Sequence, residues 1–138
     1  MPTAWTDVDP YAYVATLPIK RQADAFRLIE LFEQVTGQPP RMYGRSIIGF
    51  GEYQYQYDSG HSGWAPAASF AMRSTGIVVY LPVADYQSDL AKLGPHKERI
   101  ACVDIKKLSD IDEAVLGDMV ADCYRRLTAD TWTERAPR

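Results

Sequence analysis

At 138 residues, with 46% hydrophobic and 24% charged side chains, the chain has the size and composition of one soluble globular domain with a single sizeable core. Fifteen basic residues against eighteen acidic ones leave a net charge of −3, which argues against a general attraction to nucleic acid or to an anionic membrane. No stretch approaches the roughly 18 uninterrupted apolar residues of a membrane span.

Met1 to Asp9 holds no basic segment leading into an apolar run, so no signal peptide is expected. Asp9-Pro10 reads as a helix start, because Asp can cap free amides and Pro suits the first helical position. That helix is short, carries Tyr13, Val14 and Leu17, and ends at Pro18. A second helix is predicted over Ile19 to Thr36, where Ala25, Leu28, Ile29, Phe32 and Val35 form one apolar stripe. Gly37 stops it and Pro39-Pro40 prevents its resumption.

From Ile47 to Tyr57 the pattern changes to strict alternation, with Tyr53, Tyr55 and Tyr57 on one side and Glu52, Gln54 and Gln56 on the other. Successive strand residues face opposite ways, so this is a strand with an aromatic face and a polar face. The row reads first as the half-buried face of a sheet, and alternatively as a platform for a flat ligand or a partner. Gly49 and Gly51 mark a bulge or a close approach of backbone, and a bulge would bring Phe50 onto the tyrosine face. Asp58 to Gly63 is turn chemistry, Ala67 to Arg73 the return strand, and Ser74-Thr75-Gly76 a tight turn. Ile77 to Leu81 is apolar on both faces and predicts an interior strand.

Pro82 ends it. Tyr86, Leu90 and Leu93 lie at helical spacing before Gly94-Pro95, and Ile100 to Ile105 reads as a further strand. The last helix is expected to follow Ser109, with Asp110, Asp112 and Glu113 in its first turn and Arg125 and Arg126 in its last. Its stripe is Leu116, Met119, Val120, Cys123 and Leu127, and residues 129–138 read as a frayed tail. Cys102 and Cys123 sit inside apolar patterns without a Cys-x-x-Cys pair, which predicts buried free thiols and a cytoplasmic setting.

These elements predict one α+β domain over residues 1–138: a two-layer sandwich with an antiparallel sheet of four to five strands. The helices at Ile19–Thr36 and Ser109–Leu127 should cover one face, because each has a single stripe to bury.

Known chemical signatures are thin. Gly49-Phe50-Gly51 lacks the third glycine of a dinucleotide fingerprint, since Gln54 stands there, and no helix opens after it. Gly60-His61-Ser62-Gly63-Trp64 lacks the last glycine of a nucleophile elbow. No His or Cys pair has zinc-ligand spacing, and nothing pairs a nucleophile with a positioned base, so neither a metal cofactor nor catalysis is expected.

The segment Pro40-Arg41-Met42-Tyr43-Gly44-Arg45-Ser46-Ile47-Ile48-Gly49-Phe50-Gly51 resembles the YdhG-like family (DUF1801) of small bacterial domains, with Tyr43 in place of that family's usual Trp. The resemblance continues through Ser59-Gly60, Trp64, Leu93-Gly94-Pro95-His96-Lys97 and Cys102 to Asp112, and covers about Asp7 to Leu127. The chain departs from the pattern at Met72, where the family usually has Pro, at Ser74, where it has Lys, and at Arg99, where it has Gly. Some members of that family are described as frataxin-like iron chaperones, so the resemblance implies an iron-carrying alternative. Such binding needs a dense acidic ridge, whereas Asp24, Glu30 and Glu33 are interleaved here with Lys20, Arg21 and Arg27.

One local feature runs against the net charge. Lys92, His96, Lys97, Arg99, Lys106 and Lys107 form a basic cluster, with Arg73 and Arg41 within possible reach. The candidate site drawn from it is Tyr43, Arg73, His96, Lys97 and Lys106, around the Gly94-Pro95 turn. Whether Arg73 joins the others depends on the strand order. The expected ligand is a small anion, a carboxylate or phosphate, or else a protein partner. The plain alternative is a set of solvated surface charges.

Overall fold

A computed structural model describes residues 4–56 and 62–129 of the chain. Of the hairpin loop expected at Asp58 to Gly63, residues 58–61 lie outside the described residues, as do Tyr57 and the tail from 130 onward, whereas Ser62 and Gly63 are strand rather than loop. Two helices lead: α1 (Pro10–Ala15), capped by the Asp9 carboxylate on Tyr11 N at 3.0 Å, and α2 (Ile19–Thr36), closed by Gly37. The strands follow as β1 (Pro40–Tyr43), β2 (Ile47–Gln56), β3 (Ser62–Arg73) and β4 (Gly76–Tyr80). After a 3-10 turn at Val83–Tyr86 come α3 (Gln87–Leu93), β5 (Lys97–Glu98) and β6 (Cys102–Ile105). A second 3-10 turn, Leu108–Asp110, leads into α4 (Glu113–Thr128).

The class is the α+β one expected, with one antiparallel sheet and helices packed against it. The sheet has six strands in the order β1-β2-β3-β4-β6-β5, more than the four to five expected. Both additions are edge strands. β1 begins at Pro40, where a missing amide costs nothing because no further strand needs it. β5 has only two residues.

α2 and α4 lie over one face. Leu28, Ile29 and Phe32 of α2 and Leu116, Met119 and Val120 of α4 are buried against Ile48, Phe50, Phe70, Ile77, Val79 and Val103 of the sheet. Phe32 sits at the centre, its ring 5.3 Å from Phe50 and 5.1 Å from Phe70. Both cysteines are free and buried, as their surroundings predict. On the opposite face a smaller cluster of Ala71, Val78 and Cys102 packs with Ile47 and Tyr80.

Three local expectations change. The β2–β3 pairing keeps one register from Ile47↔Ala71 to Gln56↔Ser62, so no extra residue enters at the glycines. They are close approaches instead: a Cβ at Gly51 would lie 2.6 Å from the Tyr124 ring, and one at Gly49 would lie 2.9 Å from Pro66 and Trp5. Phe50 therefore stays in the core beneath the helices. β3 starts before Ala67, since Pro66 pairs with Glu52; β4 reaches only Phe70 to Arg73, so Pro66 has a single strand neighbour. Finally, α4 is capped by Asp112, whose Oδ1 accepts from Ala114 N at 2.9 Å, rather than opening at Ser109. Within the tyrosine row Tyr53 is buried and Tyr55 half-buried, with ring centres 6.3 Å apart.

Candidate functional site: a basic cleft at one end of the sheet

Antiparallel pairing brings the β1–β2 turn, the β3–β4 turn, the start of β5 and the end of β6 to the same end of the sheet. β4 and β6 lie between β3 and β5, so the β3–β4 turn faces the α3–β5 loop across two strands. Between them is a cleft of about 810 Å³. Arg73, His96, Lys97 and Lys106 all line it, so the strand order does bring Arg73 to the others.

Tyr43 does not join them. It lines a separate cleft of about 700 Å³ with Trp5, Arg45 and Ser46. β1 and β5 are opposite edges of the sheet, so sharing an end does not make their residues neighbours. Its ring meets Trp5 edge-on at 5.1 Å, and Arg41, expected within reach of the basic cluster, instead stacks over that same Trp5 at 4.3 Å and does not line the cleft. Lys92 and Lys107 are exposed and do not line the basic cleft.

The lining side chains fall into engaged and free groups. Arg99 pairs with Asp104 at 2.7 Å. His96 is engaged at both ring nitrogens: Nδ1 lies 2.6 Å from the Gly94 carbonyl and Nε2 lies 2.8 Å from Glu98 Oε2. Both neighbours are acceptors, so only the doubly protonated ring satisfies both. Burial acts to lower the pKa of His96, but the hydrogen bonds to Glu98 and Gly94 and the Glu98 charge outweigh it and the pKa is raised. His96 thus shapes the loop and has no nitrogen left for a ligand. Arg73 donates to Ser46 Oγ at 2.7 Å and to the Tyr80 hydroxyl at 3.3 Å, both neutral. Among the described residues, no carboxylate lies within ion-pair distance of Arg73, Lys97 or Lys106. Arg27, Arg125 and Arg126, elsewhere on the surface, each have at least one.

Sequence reasoning missed Arg21. At the start of α2 it donates to the Ser74 carbonyl at 2.6 Å and to the Lys106 carbonyl at 3.4 Å, tying the two sides of the cleft floor together. In the sequence it is one more charge on a helix surface, and no spacing rule distinguishes it. Missed too was Asp110, which lines the cleft from the turn before α4.

The carboxylates that an iron carrier would draw on along α2 have other partners. Asp24 accepts from Leu108 N at 3.0 Å, Glu33 accepts from the Tyr11 hydroxyl at 3.2 Å, and Glu30 pairs with Arg27. Among the described residues, no three His, Cys, Asp or Glu side chains are grouped to hold a metal ion, and no helix is long and apolar enough to cross a membrane. Comparison with family models, curated proteins and solved structures yields no match.

The His96–Glu98 pair has a pH signature. The raised folded-state pKa of His96 means its contribution to stability is complete below the ordinary value of 6.5 and is lost as pH rises through the raised one. Glu98 is held below its ordinary 4.5 by the Gln87 hydrogen bond and then by His96, so its share is present above 4.5 and lost as pH falls through the lowered value. The stability gap between wild type and His96→Gln should therefore be widest at about pH 5–6 and narrow toward about pH 9. Thermal melts across that range check it, and a gap that does not change with pH counts against the doubly protonated ring.

Proposed function

We propose that this chain is a YdhG-like domain that acts as a non-enzymatic binding module for a small anion, a carboxylate or phosphate, held in the cleft between the β3–β4 turn and the α3–β5 loop. One observation carries the reading. In a protein of net charge −3, Arg73, Lys97 and Lys106 gather around one cleft without a carboxylate partner among the described residues. Like charges brought together repel, and the arrangement becomes favourable when an anion completes it. The Ser74 and Thr75 side chains at the turn add hydroxyl donors to the same wall.

The non-enzymatic part rests on His96. With both nitrogens engaged it cannot take a proton from Ser74 or Thr75, and among the described residues no hydrogen bond joins either hydroxyl to Asp110, the free carboxylate that lines the same cleft. Two buried free thiols support a cytoplasmic setting. The iron-carrying alternative has less behind it, because the α2 carboxylates are held in helix and loop contacts.

The test is titration of inorganic phosphate and of acetate into the labelled protein, followed by backbone amide shifts. Shifts should concentrate at Ser74–Gly76, Lys97 and Lys106. The double variant Lys97→Ala, Lys106→Ala should weaken binding by about tenfold or more, since each ammonium contributes a charge-assisted hydrogen bond. Affinity unchanged in that variant, or no shifts with either anion, would overturn the proposal.

A further inference from the structure

Subtracting the groups that already have partners leaves the cleft with charges of both signs. His96 is held by Gly94 and Glu98, and Arg99 by Asp104. What remains is cationic at Lys97, Lys106 and Arg73, and anionic at Asp110. Arg73 uses two of its N–H groups on Ser46 and Tyr80, which leaves donors of its five for a ligand. Among the described residues, the Asp110 carboxylate accepts no hydrogen bond and pairs with no cation; the 3-10 turn is closed instead by its backbone amide on Lys107 O at 3.1 Å.

Asp110 is also fixed in place. Its carbonyl lies 2.7 Å from where a Cβ on Gly94 would stand, so only glycine lets the α3–β5 loop pack this closely on the turn. Asp112 N donates to the Leu93 carbonyl at 2.9 Å and ties the same turn to the end of α3. The loop that presents Lys97 and the turn that presents Asp110 are thus locked to each other, while Arg21 locks the Ser74 and Lys106 backbones on the other side. An acceptor held half-buried in an otherwise cationic cleft suits a ligand that carries its own donor.

We infer that the cleft takes a small zwitterion, with its anionic group on Lys97, Lys106 and Arg73 and its ammonium group on Asp110. This rests on the anion-binding reading above and adds the second half of the ligand. A simple dianion meets the Asp110 charge as repulsion, whereas a molecule with one acid and one primary amine meets complementary groups at both ends. The specificity comes from an interaction the wrong ligand turns into a penalty.

The experiment is isothermal titration of two matched pairs into the full chain and into Asp110→Asn. One pair is glycylglycine and N-acetylglycylglycine; the other is O-phosphoethanolamine and ethyl phosphate. On wild type, the ammonium-bearing member of each pair should bind about tenfold more tightly, the size of one charge-assisted hydrogen bond. Asp110→Asn should reduce that preference to within about twofold while leaving the partner without an ammonium as tight or tighter. Equal affinity within each pair on wild type, or a preference that survives Asp110→Asn, overturns the zwitterion inference and leaves anion binding standing. Failure of all four compounds to bind overturns both. The wild-type comparison does not depend on how the variant folds.

Discussion

Replacing Phe32 by Ala should destabilise the domain by about 3–5 kcal/mol, the cost of removing a fully buried aromatic ring from a core that can only partly collapse around the void. Phe32 is 0% exposed and touches one ring on each of two neighbouring strands, Phe50 on β2 and Phe70 on β3. Those two rings are themselves 6.3 Å apart, so removing Phe32 takes the third member from a packed trio, and with it one edge contact to Phe70 and one tilted contact to Phe50. The loss falls at the junction of the helical layer and the sheet. Phe26, on the same helix, is the comparison: it is 40% exposed and stacks on Tyr11 at 6.3 Å, so Phe26→Ala should cost less than about 1 kcal/mol. Urea denaturation of both variants measures the difference. Similar losses at the two positions would mean that α2 presents a different face to the sheet.

The core was legible because burial imposes a period. α2 and α4 each bury one side, and an apolar stripe recurring every three or four residues announces that side without any knowledge of the partner. β4 was legible for a different reason: both of its faces are buried, Ile77 and Val79 in the core under the helices and Val78 in the smaller cluster with Ala71 and Cys102. The elements that escaped lie at the margins of the sheet: the first half of β3 and β5 each pair with one strand, and β1 has β2 on one side and only a single bridge, Trp5 to Tyr43, on the other. Pro40 and Pro66 look like breaks in a sequence, and they are tolerated because an edge leaves their missing amides unneeded.

The site was half legible. Its basic residues stand out against a net negative chain, but their grouping depends on strand order, which placed Tyr43 on the far edge and Arg73 on the near side. Which charges remain free depends on contacts that no spacing rule predicts. Glu98 lies two residues from His96 and engages it only because the turn at Gly94 folds the ring back between a carbonyl and that carboxylate.

Gly76→Ala should be the second large loss, and it should reach the cleft as well as the fold. Gly76 opens β4 directly after the β3–β4 turn, with φ of 151°. A Cβ there would stand 2.4 Å from the Ile105 carbonyl oxygen and 3.1 Å from Lys106 Cα. Both are backbone atoms, at the end of β6 and just past it, held by the Ile77↔Ile105 pairing and by Arg21 on the Lys106 carbonyl, so neither can swing aside as a side chain would. Relief requires β4 and β6 to separate at the cleft floor. The cost should be on the order of 3 kcal/mol or more, combining an unfavourable backbone conformation with the clash. Gly37→Ala isolates the first part: its φ is 72° and nothing lies within 4 Å of an added Cβ, so about 1–2 kcal/mol is expected there. Under conditions where Gly76→Ala remains folded, phosphate binding should also weaken, although no charged residue has been changed. Equal destabilisation of the two variants, with phosphate binding intact in Gly76→Ala, would show that the floor of the cleft can move aside and that its geometry does not set the affinity.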